Sequence, residues 1–113
     1  MDNTHDEVLL RMKTMNSLLD IKFEEVKEGI DVLNSYCYTL RMYAEWMMGT
    51  VGPNSERYPE FAKLKDDFLT FEVLLTLDDK SITEYIISNL YLEVREFRRV
   101  VGKMIVELEE LMK

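Results

Sequence analysis

The chain has 113 residues, 47% hydrophobic and 32% charged, a size and composition that fit one folded domain and exclude a disordered tail. Fourteen basic residues against 22 acidic ones leave a net charge of -8, which excludes a bulk attraction to nucleic acid, so any phosphate contact must be local. Four glycines and two prolines are too few for the turns of a β-sandwich, a barrel or a glycine-rich phosphate loop.

Thr4 followed three residues later by Glu7 has the form of a capping box and predicts a first helix over about residues 5–18. Val8, Met12, Met15 and Leu19 fall on one face of it, and Ser17 with Asp20 predicts a bend or break at its end. The second helix is predicted over about residues 22–48. There Val26, Ile30, Leu33, Cys37, Leu40, Ala44 and Met47 alternate steps of four and three. Phe23, Tyr36, Tyr43 and Trp46 widen that seam into a face broad enough for more than one neighbour. Gly49 and the Gly52-Pro53 pair are expected to stop it.

Pro59 suits the first position of a third helix over about residues 59–77. Its seam is Phe61, Leu64, Phe68, Phe71 and Leu75, flanked by Leu69 and Leu74, and Asp78 with Asp79 is expected to end it. Ser81 and Glu84 form a second capping box, predicting a fourth helix over about residues 82–112. Ile87, Leu90, Val94, Phe97, Val101, Met104, Leu108 and Leu111 carry its alternation. At about 1.5 Å per residue it would be roughly 45 Å long.

Four apolar faces joined by short connections are hidden most economically against one another. The expected fold is therefore all-α, a single domain over residues 1–113, built as a bundle of about four helices with long second and fourth members. A seam end that overhangs the bundle would be a docking surface. No apolar run approaches the about 20 residues that span a bilayer, and the segment before Val8 lacks the basic region of a signal peptide. One cysteine suits a reducing compartment. A soluble intracellular protein is the expectation.

Residues able to carry out catalysis are scarce. His5 is the only histidine and lies near the N-terminus, Cys37 falls on an apolar seam, and no CxxC, HExxH, Walker or GxSxG pattern is present. Carboxylates cluster at Glu24, Glu25 and Glu28, at Asp66 and Asp67, and at Glu107, Glu109 and Glu110. A dimetal bundle would also need Glu-x-x-His pairs. These clusters suit a solvated acidic face or attraction to a basic partner. Eight methionines suit adaptable core filling or a partner groove. Arg95, Arg99 and Lys103 recur every fourth residue, with Arg98 adjacent and Glu96 off their line. This stripe suits a solvated face with local ion pairs, or contact with an acidic partner or RNA phosphates. No enzyme, catalytic residue, metal or cofactor is expected.

The run Gly29-Ile30-Asp31-Val32-Leu33-Asn34-Ser35-Tyr36, continued by Leu40, Tyr43 and Trp46, resembles the marker helix of the Sas-ten / C-one-D family of nuclear RNA-processing proteins. The segment from Gly49 through Gly52, Pro53 and Tyr58 to Pro59 is similar to that family's glycine-containing turn before its next helix, with Tyr58 where the family usually has histidine. Leu64 and Asp79-Lys80 fall in register with its third helix, and a fainter likeness runs through Tyr85, Ile86, Asn89 and Leu90. The lysine-rich C-terminal tail common in the family is not seen.

The resemblance implies a nuclear, noncatalytic cofactor of the exosome. Its partner would be the N-terminal helical region of the RNase-D-like exonuclease, which it would stabilise as a heterodimer while assisting RNA processing, with weak RNA binding of its own. Phe23, Tyr36, Tyr43 and Trp46 are then expected partner anchors, and Arg95, Arg98, Arg99 and Lys103 the expected RNA or acidic-partner contacts. The alternative is a structural helical-bundle or coiled-coil subunit of a larger assembly, without a role in RNA processing.

Overall fold

Side chains three and four apart share one face of an α-helix, so each apolar seam can be tracked directly in three dimensions. The structure, a computed structural model, describes residues 3–19 and 29–113. Among the described residues the protein is all-α, a helical bundle of four elements. They are α1 (Asn3–Leu18), α2 (Ile30–Val51), α3 (Tyr58–Leu75) and α4 (Lys80–Leu111). The predicted beginning of the second helix, with Phe23, Val26 and the Glu24, Glu25 and Glu28 cluster, lies outside the described residues.

The helix ends depart from the sequence expectations for local reasons. Helix α1 already includes Thr4, which is therefore helical and not its cap, while its last residue, Leu18, is the one expected and Asp20 of the expected break lies outside the described residues. Helix α2 passes Gly49 and stops only at Gly52, whose φ of 81° is readily adopted without a side chain and whose N–H donates to the Met48 carbonyl at 2.9 Å. Helix α3 ends at Leu75, two residues early, where the Thr76 hydroxyl donates to the Val73 carbonyl at 2.6 Å. Asp78 then turns the chain at φ 49°. The cap of α4 is Asp79 and not Ser81: its Oδ1 accepts from the Ser81 and Ile82 amides at 2.8 and 3.2 Å. A carboxylate there satisfies two exposed donors and places negative charge at the positive end of the helix dipole.

The chain divides into two compact units, Lys22–Glu93 and Met1–Ile21 with Val94–Lys113. In the first, α2 and α3 form an antiparallel pair around the turn at Gly52–Arg57. Arg41 meets Glu72 and Glu45 meets Lys65, two pairs nearly symmetric about that turn. Lys63 and Glu93, 3.8 Å apart, are equally spaced from Asp78 and register α3 against the start of α4. The buried side chains are Leu33, Cys37, Leu40, Ala44 and Met47 on α2, and Phe61, Leu64, Phe68, Phe71 and Leu75 on α3, the positions expected from spacing. Ile86 and Leu90 of α4 are buried as well.

In the second unit, Met12, Met15 and Leu19 are buried, as are Val94, Phe97, Val100, Val101 and Ile105 of α4. Lys13 reaches Glu109 at 3.3 Å, and a Cβ on Gly102 would lie 4.0 Å from the Asn16 amide nitrogen, so α1 and this part of α4 run antiparallel. Along α4 the buried residues step Ile86, Leu90, Val94, Phe97, Val101 and Ile105, with Val100 buried beside Val101. The expected heptad phase is corrected at both ends. Ile87, Met104 and Leu108 are only partly buried, and Leu111 is 82% exposed. Steps of four, four and three repeat every 11 residues and track a straight helix more closely than a seven-residue repeat.

The cap assignment is tested by two alanine variants. Asp79→Ala should lower unfolding stability by about 1 kcal/mol, whereas Ser81→Ala should change it by a few tenths, as read from urea melts.

Arg41 pins α2 to α3. Its Nε donates to Glu72 Oε2 at 2.6 Å, its Nη1 lies 3.4 Å from Glu45, and its guanidinium stands 5.1 Å from the Tyr38 ring centroid. The Glu72 hydrogen bond holds the guanidinium pKa above its already high value. Arg41→Ala would strand Glu72, whose side chain is 15% exposed, and should destabilise the protein by about 1–3 kcal/mol in the same assay. Arg41→Lys should recover only part of that loss, because the planar fork is missing.

Candidate partner-binding surfaces

Of the four aromatic residues expected to anchor a partner, three are described, and they differ in exposure. Phe23 lies outside the described residues. Tyr36 is 8% exposed and belongs to the buried face of α2, so its ring serves the protein's own interior. Tyr43 and Trp46 are half-buried on the flank of α2 away from Arg41, and the Trp46 carbonyl accepts a 2.8 Å hydrogen bond from the Thr50 hydroxyl. Among the described three, these two remain partly exposed.

Arg95, Arg98, Arg99 and Lys103 are all exposed on α4. Glu96 modifies the stripe from off its line: it accepts from Arg99 Nη2 at 2.6 Å and from Nε at 3.0 Å. An i,i+3 spacing puts the two side chains within reach even though they point from adjacent faces. Arg95, Arg98 and Arg99 all engage protein groups, and the stripe is a mixed ionic surface rather than a row of free cations.

The acidic clusters are likewise distributed among local partners. Asp67 accepts from Lys63 at 2.9 Å, Glu109 from Lys13 at 3.3 Å and Glu110 from Lys113 at 3.3 Å. The Asp67 hydrogen bond, reinforced by Glu93, raises the Lys63 pKa. His5 is exposed. Among the described residues no group of three or more His, Cys, Asp or Glu could hold a metal ion, and no described helix is long and apolar enough to cross a membrane.

Apolar side chains that remain exposed are better candidates for a partner. Leu69, Val73 and Leu77 follow one another at steps of four along and just past α3, while Tyr85, Tyr91 and Leu92 are exposed on α4. All six belong to the Lys22–Glu93 unit. The same unit holds an open cavity of about 340 Å³ at the α2–α3 turn. Glu45, Met48 and Gly49 of α2 line it, with Gly52 and Pro53 from the turn and Tyr58 and Lys65 from α3. Sequence reasoning missed Arg41, Met48, Gly49 and Lys65. The Arg41–Glu45 spacing was a visible signal of a helix-surface pair, but Glu72 is 31 residues from Arg41 and joins it only through the antiparallel packing.

No family model, curated protein or solved structure matches the chain. The residues themselves therefore carry the functional reading. Exposed apolar side chains set among ion pairs can bury against a complementary helix, with the charges selecting its orientation.

Cys37 is fully buried. Burial, reinforced by the Glu72 charge, pushes its thiol up to about 12 from 9.0. A raised thiol pKa means that the folded state keeps a proton that the unfolded state loses. The associated stability is complete below about pH 9 and declines as pH rises toward about 12. Urea melts should show this loss in the native protein and less of it in Cys37→Ala, and the native thiol should resist iodoacetamide at pH 8 until the chain unfolds.

Proposed function

We propose that the chain is a noncatalytic cofactor of the nuclear exosome, of the Sas-ten / C-one-D type. It binds and stabilises the N-terminal helical region of the RNase-D-like exonuclease and assists RNA processing. The observation that carries this reading is the apolar stripe of Leu69 and Val73 on α3, continued by Leu77 just past its end and exposed beside a helix pair whose own core is already filled by Phe61, Leu64, Phe68, Phe71 and Leu75. Steps of four along a helix are the spacing by which one helix receives another. The likeness of the segment from Gly29 to Pro59 to the family's helix and turn supplies the identity of the partner.

A contribution from Tyr43 and Trp46 fits the same reading, since half-buried aromatics add contact area at small entropic expense. The stripe Arg95, Arg98, Arg99 and Lys103 would give weak and salt-sensitive RNA contact, because few phosphates can be reached and some of the charge is already engaged. A structural role in a larger assembly is the second reading, favoured by Val106 and Leu111, exposed near the end of α4 in the other unit.

Mixing the chain with the exonuclease's N-terminal region at micromolar concentration should give a heterodimer with increased helicity and a raised melting temperature. Val73→Glu should weaken that heterodimer about tenfold or more while leaving the isolated chain helical. Separate elution of the two proteins would refute the assignment, and a stable symmetric oligomer of the chain alone would support the structural reading. Arg99→Glu should lower RNA retention while leaving folding nearly unchanged, since the Glu96 pair it removes is exposed; unchanged retention would remove the stripe from RNA contact.

A further inference from the structure

The charges that border the exposed stripe of Leu69, Val73 and Leu77 differ in whether they are already matched. Toward α2, Arg41 donates to Glu72 at 2.6 Å, and Lys65 stands 4.0 Å from Glu45. On the opposite flank of α3, Lys63 is engaged by Asp67 at 2.9 Å and by Glu93 at 3.8 Å. Asp66 and Asp78 stand apart from these pairs. Both are exposed, and neither carboxylate has an ion pair or hydrogen bond among the described residues.

Asp66 lies three residues before Leu69, a neighbouring position on the helix surface, and Asp78 directly follows Leu77. The stripe therefore ends in an unmatched negative charge on each side. Lys80 comes two residues later, as the first residue of α4 past the turn that Asp78 makes at φ 49°, and it forms no ion pair with Asp78. At about 1.5 Å per residue the two aspartates are separated by roughly 18 Å of chain, or about three helical turns.

That pattern selects the occupant. A second copy would bring the same stripe, and whether two stripes meet parallel or antiparallel, an aspartate end faces an aspartate end, in a chain whose net charge is -8. RNA and an anionic membrane surface are repelled for the same reason. We propose that the stripe receives an amphipathic protein helix that carries a lysine or arginine at each end of its apolar edge, about three turns apart. Its apolar side chains cover Leu69, Val73 and Leu77, its two cations meet Asp66 and Asp78, and the charges fix its register. This inference rests on the reading of the stripe as a helix site, and not on the exonuclease being the protein that supplies the helix.

The test uses the full chain, labelled with nitrogen-15, and two blocked helical peptides of alanine and glutamine with leucine at every fourth position. One carries a lysine near each end, about three turns apart, and the other carries glutamates there. At low salt the lysine peptide should shift the Leu69, Val73 and Leu77 amide resonances and bind about three- to thirtyfold more tightly than the glutamate peptide, the range of two exposed ion pairs. The preference should shrink as salt is raised. Asp66→Lys combined with Asp78→Asn should reverse it with little change in melting temperature, since asparagine tolerates the positive φ. Equal binding of both peptides at the stripe, or a preference that the double variant leaves in place, would overturn the proposal while keeping the stripe as a helix site. Shifts from neither peptide would overturn it too, and the heterodimer with its Val73→Glu variant would then judge the reading of the stripe separately.

Discussion

No helix of this chain can bury its apolar face alone, and the rest of the structure follows from how α2 and α3 solve that problem for each other. Leu33, Cys37, Leu40, Ala44 and Met47 on one helix and Phe61, Leu64, Phe68, Phe71 and Leu75 on the other are withdrawn from water together. Each large side chain so buried contributes about 1.5–3 kcal/mol, enough in sum to offset the ordering of two helices that would be marginal in isolation. The left-handed Gly52 closes the pair, and its position sets which residues stand opposite one another.

Polar interactions act at the edges of that apolar contact and select its register. Arg41 joins Glu72 across the pair and leans over Tyr38, and Lys63 ties α3 to Glu93. Once the register is set, Cys37 is sealed from solvent, Tyr36 turns inward, and Tyr43 and Trp46 remain at the margin. Leu69, Val73 and Leu77 stay outside because the core positions on α3 are already occupied. The apolar surface that remains after the fold has satisfied itself is thus concentrated on helix flanks.

The second unit packs α1 against the later part of α4. Two methionines, Met12 and Met15, supply much of the buried face of α1, and Asn16 between that face and Gly102 has an amide oxygen that is enclosed without a hydrogen-bond partner. Such a group costs about 1–3 kcal/mol, an appreciable fraction of what one helix contributes by packing. The Lys13–Glu109 pair is exposed on both sides and offsets little of it.

Periodicity by itself determined the all-α class, the seams of α2 and α3 and the burial of Cys37, because three- and four-residue steps translate directly into one helix face. It misplaced the α4 seam, where Ile105 is buried and Met104 and Leu108 are only partly so, since a heptad and an 11-residue repeat diverge only over many turns. It also chose Ser81 over Asp79 as a cap, two side chains that differ by where the preceding turn ends. Only the tertiary structure decided that Arg41 meets Glu72, that Glu96 holds Arg99, that Tyr36 is interior, and that Gly49 opens into a cavity with Tyr58 and Lys65. The physical reason is that a local repeat states which side of a helix is apolar, whereas the pairing of flanks depends on the antiparallel register and rotation that packing imposes.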